Sequence, residues 1–404
     1  MALEITSARP DPALFDLPWS IPLEDWPEDH LAALPRGISR HIVRFVKLSG
    51  GVLAVKEIKA DIAAREYAML RALGRLDLPC VTPLGVVTGR VDAHGQTLDA
   101  CLITRHLQFS LPYRALYSQS LRPDTAARLI DALAVLLVTL HLDGFWWGDV
   151  SLSNTLFRRD AGAFAAYLVD AETGEMHPRL SDGQREHDLD IARVNIAGEL
   201  MDLQAGGHLE EHTDPVETAT EIVRRYHSLW SELTGVERFE TGDRWRVDER
   251  IRRLNALGFD VGELAMSTDI GGTTIQIQPK VVDSGHHSRR LLRLTGLDVE
   301  ENQARRLLND LDSYRAATDR LADDEAVVAH DWLVNVYEPT VRAVPRELRG
   351  KLEAAEVFHE VLEHRWYLSE RAGRDLPLAD TIADYVRTVL PAKPDEQAVL
   401  GIDT

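Results

Sequence analysis

Apolar and polar positions divide the chain into segments before any chemistry is considered. In 41–58, HIVRFVKLSGGVLAVKEI, two β-branched runs flank Ser49-Gly50-Gly51. Glycines supply the positive φ of a tight turn, so this stretch predicts a β-hairpin. Ile62, Ala63, Tyr67, Leu70 and Leu73 then recur at helical spacing, and Gly74 follows them; a helix is predicted over 61–73. Two more strand-like runs follow, VTPLGVVTGRV and TLDACLITRHL. Residues 123–142 predict a strongly apolar helix. Its core, LIDALAVLLVTLHL, is too short to span a bilayer and contains Asp131, so it reads as a buried helix. A loop over 144–155, a strand over 166–169 and a helix over 188–203 complete this half. The order is a strand-rich lobe with one helix, then a helix-rich lobe.

After Gly206-Gly207 the character changes. A helix is predicted over 215–233, with Thr213 or Asp214 as N-cap, Pro215 in its first turn and Gly235 beyond its end. A second helix covers 246–257, and a hairpin pairs 263–267 with 273–282 around Gly271-Gly272. Asp298 and Glu301 form a capping-box pair opening a helix to 317. Further helices are expected over 324–337, 346–371 and 378–390. The expected class is α+β: a lead-in over 1–36, rich in Pro, Asp and Trp; a strand-rich lobe over 37–107; a helical lobe over 108–205; a separate, mostly helical α+β domain over 210–392; and a tail over 393–404.

Composition narrows the function classes. The 404 residues suit two or three domains, each able to bury its own core. A formal net charge of -20 argues against broad binding to nucleic acid or an anionic membrane, while leaving local basic patches open. Two cysteines, Cys80 and Cys101, make no disulfide framework, and a cytoplasmic setting is expected. The N-terminal MALEITSARPDPALFDLPWS lacks the basic and apolar regions of a signal peptide.

The candidate chemistry lies in the first half. Phosphoryl transfer from a nucleotide needs a cation on the phosphates, oxygen ligands for magnesium and a base for the attacking hydroxyl. Lys56 lies on the strand Val52-Leu53-Ala54-Val55-Lys56, and Glu66 follows ten residues later on the predicted helix. A buried lysine is costly unless paired or functional. The loop after the apolar helix presents Gly148-Asp149, with Asn154 five residues on, and Tyr167-Leu168-Val169-Asp170 is an apolar strand ending in a carboxylate. Each residue alone fits a polar loop between buried elements.

In this order and spacing they resemble the protein-kinase-like superfamily. GDVSLSN resembles its catalytic loop, LVDAE its metal-binding segment and VLAVKEI its lysine strand. The nearest flavour is the atypical bacterial branch, similar to lipopolysaccharide and small-molecule kinases. The whole chain also resembles an uncharacterised bacterial family with a kinase-like N-terminal half and a C-terminal domain of unknown function. The kinase resemblance covers about residues 30–205 and implies a two-lobed fold, ATP and Mg2+ as cofactors, and a hydroxyl-bearing acceptor that no motif identifies. It implies that Lys56 contacts the α/β-phosphates and is held by Glu66, that Asp149 orients the acceptor hydroxyl and takes its proton, and that Asn154 and Asp170 hold magnesium. Residues 102–107 would line the adenine pocket, with the hinge at His106 and Leu107. Gly37, Ser39 and Arg40 would cover the phosphates. Asp188 or Asp190 would brace the catalytic loop, and His141 would pack behind it.

The chain departs from the family pattern at four points. The nucleotide loop carries one glycine where the pattern has three. Ser151 stands where many protein kinases carry a lysine. Ala171-Glu172 replaces Phe-Gly, which makes Glu172 either a further metal ligand or a surface residue. No Ala-Pro-Glu segment follows. These departures favour a small-molecule acceptor over the alternatives, a protein kinase acting on itself or a partner, or a non-catalytic nucleotide-binding pseudokinase.

In the second half, His286, His287, Arg289, Arg290 and Arg293, with Arg305 and Arg306 beyond, form a local basic segment within 284–306. A solvated helix start accounts for it better than a site for a phosphate, a nucleotide, the kinase lobe or nucleic acid. The run from His359 to His364 has Glu363 where a zinc helix needs its second histidine, so a surface His359–Glu363 contact is expected. Trp366 and Tyr367 are expected to pack against the core or the kinase lobe.

Overall fold

The computed structural model describes residues 2–8, 11–32, 41–48, 51–117, 123–209, 213–241, 243, 245–268 and 273–397. The chain divides into two compact units, one of residues 1–157, 166–223 and 398–404, the other of 158–165 and 224–397.

The first unit begins with β1 (Glu4–Ser7), β2 (Ile42–Leu48), β3 (Gly51–Ile58), α1 (Ala60–Arg75), β4 (Pro83–Thr88) and β5 (Ala100–Arg105). The five strands form one antiparallel sheet in the order β1-β4-β5-β3-β2. The predicted hairpin is β2–β3, and its turn residues Ser49 and Gly50 lie outside the described residues. Helix α1 buries Ala63, Tyr67, Leu70 and Leu73, the stripe read from the sequence, and Glu66 with them.

The lead-in differs from expectation. Its first strand, β1, pairs with β4. Prolines at 12, 18, 22 and 27 block a long helix but admit short 3-10 turns. Leu14, Leu17, Trp19, Leu23 and Trp26 join Val46, Leu53, Val55, Val87, Cys101 and Ile103 in one core. The two indoles meet edge-on at 5.1 Å. The Arg90 guanidinium, 1% exposed, ties the segment down by donating to Trp19 O (3.0 Å), Ile21 O (2.7 Å), Asp99 O (2.7 Å) and Glu57 Oε1 (2.5 Å).

The chain continues through β6 (Ser110–Pro112), α2 (Tyr113–Tyr117), α3 (Pro123–Leu142), β7 (Phe145–Trp146), β8 (Thr155–Asp160), β9 (Ala163–Leu168), β10 (Glu175–Met176), α4 (Asp182–Ala205) and α5 (Pro215–Thr234). The order β6-β8-β9 makes one small sheet and β10-β7 another. Helix α3 buries Leu129, Leu133, Leu136, Leu137 and Leu140, which explains its nearly unbroken apolar run. Helix α4 starts six residues before the expected 188, because Ser181 and Gln184 form a reciprocal capping box. Asp214 caps α5 by accepting from Val216 N (2.8 Å) and Glu217 N (3.1 Å).

The second unit contains β11 (Glu237–Glu240), α6 (Trp245–Ala256), β12 (Phe259–Thr268), β13 (Thr274–Ser284), α7 (His286–Thr295), α8 (Glu301–Ala317), α9 (Glu325–Trp332), α10 (Glu338–Arg342), α11 (Ala354–Ala372) and α12 (Leu378–Thr388). The predicted hairpin is β12–β13, within a sheet of order β11-β13-β12; Gly271 and Gly272 lie outside the described residues. One core gathers Leu291, Leu307, Leu311, Trp332 and Phe358; another gathers Val357, Val361, Tyr385 and Leu390.

Several expectations are corrected here. Helix α8 is capped at Glu300, whose N–H donates to the Gln303 side chain (3.3 Å), rather than by the Asp298/Glu301 pair. The N–H groups of Asn302 and Gln303 go instead to Asp160, the last residue of β8 and one of the residues 158–165 that belong to this unit (3.1 and 2.7 Å). Residues 393–397 are not a loose tail, since Glu396 is 2% exposed and accepts from Arg159 Nε at 2.6 Å. The basic segment is helix α7, and much of its charge is matched within the unit. His286 and Arg289 meet Asp260, His287 meets Glu301, and Arg290 meets Glu325. His359 is buried and lies 3.5 Å from Glu363, so the pair is only half at the surface. Trp366 and Tyr367 are exposed rather than packed inward.

Candidate active site

Lys56 lies on β3, flanked in register by Val43 of β2 and Leu102 of β5. The alternation of the strand turns its side chain toward α1 and the second site loop. Its ammonium donates to Glu66 Oε2 at 3.0 Å and to Asp170 Oδ2 at 2.6 Å, with Glu172 Oε2 at 3.6 Å. Burial works against the charged lysine, but the Glu66 and Asp170 carboxylates outweigh it and hold its pKa above the ordinary value. Glu66 is 1% exposed. Burial, reinforced by the negative charge of Asp170, pushes its carboxyl up to about 7, against the pull of Lys56.

The loop after α3 is held from beneath by α4. Gly148 has φ 75°, and a Cβ there would meet the Trp146 indole at 2.8 Å, so glycine is required. Asp188, fully buried, accepts from Trp147 N and Gly148 N, both at 2.7 Å, and lies 3.1 Å from His141 Nε2. Of the two sequence candidates for this brace, Asp188 makes the contact, while Asp190 is exposed and faces Arg193. Asp149 follows, and its two carboxylate oxygens accept from Asn154 Nδ2 (3.2 Å) and Asn195 Nδ2 (3.3 Å). Asn154 Nδ2 also donates to Asp149 O at 3.0 Å. Val169 N donates to Asn154 O at 3.0 Å, which brings the end of β9, and so Asp170, beside the loop. Trp147 Nε1 donates to Asp170 O at 2.8 Å and locks the two segments together.

Glu66, Asp170 and Glu172 bring carboxylate oxygens within 4.8 Å of one another. These are hard oxygen donors suited to magnesium, and the amide oxygen of Asn154 is of the same kind. Asp170 and Glu172 are thus donors of the kind that ion takes, Glu172 being one that the sequence left open, and Lys56 Nζ faces both. His41 Nε2 lies 3.0 Å from Glu172 Oε2.

Lys56, Asp149, Asn154, Asp170, Glu172 and His41 line one cavity of about 800 Å³ in the first unit, within the usual range for a small-molecule site. Val43, Ala54, Val81, Leu107 and Val169 supply apolar wall; Lys56, Asp149, Asn154 and Asp170 supply the polar end. His106 also lines it, its backbone N–H donating to Val52 O at 2.9 Å. Burial lowers its imidazole to about 4, so the ring is neutral near pH 7. Gly37, Ser39 and Arg40 lie outside the described residues. Sequence reasoning missed Asn195 and Glu199 of α4. Glu199 accepts from Leu152 N (2.7 Å) and Ser153 N (3.0 Å) and also from Ser153 Oγ. The available signal was their spacing of seven and eleven residues from Asp188, which means nothing until that helix is laid against the loop.

Residues 47–197 match the family model described as the lipopolysaccharide kinase (Kdo/WaaP) family. Residues 228–390 match the model described as domain of unknown function DUF4032. A solved structure titled "WaaP in complex with acyl carrier protein" is similar at 15% identity and a TM-score of 0.33, over 57% of this chain and 100% of that one. Among curated proteins none matches. Among the described residues no helix is long and apolar enough to cross a membrane. The chain is an α+β protein with a kinase-like region followed by a domain of unknown function.

Proposed function

We propose that the kinase-like region is an ATP- and magnesium-dependent phosphotransferase acting on a hydroxyl of a small molecule. The observation that carries this reading is the convergence of Lys56, Asp149, Asn154 and Asp170 on one cavity, with Glu66 behind it paired to Lys56. Lys56, held by Glu66, would bind the α/β-phosphates as a compact cation. Asn154 and Asp170, with Glu172 as a further ligand, would hold magnesium, which when bound neutralises phosphate charge. Asp149 would orient the acceptor hydroxyl and take its proton as the new O–P bond forms and the bond to ADP breaks. The apolar walls, with His106 and Leu107, would take the adenine. Ser151 supports a small acceptor, because the lysine with which many protein kinases face the γ-phosphate is absent from that position.

The test is ATP turnover by the purified full chain, with hydroxylated metabolites as acceptors. Asp149→Asn is expected to lower turnover by about 10²–10⁴-fold, the usual worth of general-base catalysis. Asp170→Asn is expected to abolish magnesium-dependent turnover, and EDTA to do the same reversibly. Unchanged turnover in both variants would overturn the proposal. A phosphosite on the protein itself, found by mass spectrometry, would redirect it to a protein acceptor.

A further inference from the structure

Helix α4 does more than brace the start of the loop. Asp188, Asn195 and Glu199 stand at i, i+7 and i+11, which puts them on one face over about 16 Å of helix. Residues 147–153 run along that face. Asp188 takes the N–H groups of Trp147 and Gly148, and Glu199 takes those of Leu152 and Ser153. Between them Asn195 Nδ2 donates to Val150 O at 3.1 Å and to the Asp149 side chain itself, at Oδ1, 3.3 Å away. Asn154 Nδ2 reaches the other oxygen, Oδ2, at 3.2 Å. Asn195 also lines the cavity.

We infer that Asn195 is a positioning residue for phosphoryl transfer, holding the Asp149 carboxylate in the plane and direction that an acceptor hydroxyl requires. The inference rests on the proposed function, in which Asp149 is the proton acceptor. Two amide donors, one per oxygen, together set the rotation of the carboxylate. The residue type is what the task demands. A neutral amide orients the carboxylate without forming an ion pair that would weaken it as a base, and an aspartate there would repel it. Orientation of this kind acts on the reacting step more than on nucleotide affinity.

The experiment measures kcat and KM for ATP in the full chain carrying Asn195→Ala, Asn195→Asp and Asp149→Asn, with the Asn195→Ala/Asp149→Asn double variant. Asn195→Ala is expected to lower kcat by about tenfold or more with KM for ATP changed less than threefold, since only geometry at the reacting group is lost. Asn195→Asp is expected to be the more damaging of the two, although it keeps the volume; a packing role predicts the reverse order. In the Asp149→Asn background, Asn195→Ala is expected to cost less than threefold further, because the group it positions has gone. An equal loss in both backgrounds, or parental kcat in both Asn195 variants, overturns the inference. Should Asn195→Asp not fold, Asn195→Ser, too short to reach Oδ1, replaces it with the same expected loss as alanine. Asp149→Asn separates the two levels: if it turns over like the parent, the proposed function fails; if it has lost turnover while both Asn195 variants keep the parental kcat, only this inference fails.

Discussion

Glu66 couples the pH dependence of stability to that of the proposed activity, with opposite signs. Its carboxyl is raised from 4.5 to about 7 in the folded state by burial and by Asp170. A folded-state pKa above the unfolded value means that the native protein binds this proton more tightly than the unfolded chain does. The stability it contributes is therefore complete below about 4.5 and lost as pH rises through about 7. At 1.36 kcal/mol per pKa unit the loss is about 3 kcal/mol. The activity runs the other way. Only ionised Glu66 gives Lys56 Nζ a second charged acceptor, at 3.0 Å, beside Asp170, so kcat/KM for ATP should rise as pH passes through about 7. Glu66→Gln keeps the shape and removes the proton. It should flatten the stability profile by about 3 kcal/mol between pH 5 and 8.5, measured by urea unfolding. It should also flatten the acid limb of kcat/KM and lower its plateau by about 10–100-fold, the equivalent of a lost charge-assisted hydrogen bond of about 1.5–3 kcal/mol. Parallel pH profiles for the variant and the parent in both assays would refute the reasoning, because some other group would then be titrating.

Two further outcomes follow from contacts that the sequence did not announce. Arg90→Met should destabilise the first unit by about 3–5 kcal/mol, because it takes the guanidinium from the half-buried Glu57 carboxylate, which keeps only the Leu23 N–H among the described residues, and from the carbonyls of Trp19, Ile21 and Asp99; a shift in unfolding midpoint equivalent to less than about 1 kcal/mol would show that the N-terminal segment is not held this way. Asp160→Ala should weaken the second unit by about 1–3 kcal/mol, the cost of leaving the buried Gln303 N–H and the donors of Asn302 unpaired, seen as faster amide exchange at the start of α8; unchanged exchange there would count against it.

Local signals in the sequence determined the elements. The 3.6-residue stripe of α1, the apolar run of α3, Asp214 and Pro215 at the head of α5, and the glycine-linked strand pairs each carry their cause within a few residues, and each appears where periodicity and turn chemistry put it. Lys56, Glu66, Asp149, Asn154 and Asp170 were also legible, as an ordered set of residue types rather than as a geometry. What only the tertiary structure decided depends on partners distant in the chain. The prolines of the N-terminal segment look like a loose lead-in until Trp19 and Trp26 find a sheet face whose strands lie up to about eighty residues away. Asp188 and Asp190 are equivalent on paper, and one turn of α4 against residues 147 and 148 separates them. Glu172 stood on paper between metal ligand and surface residue, and the end of β9 beside Lys56 is what brings it to the other carboxylates. Asn195 and Glu199 are ordinary helix residues until the loop lies along them. Hydrophobic spacing is a property of one segment, whereas hydrogen-bond satisfaction at this site is a property of several, and for that reason the first could be read in advance and the second could not.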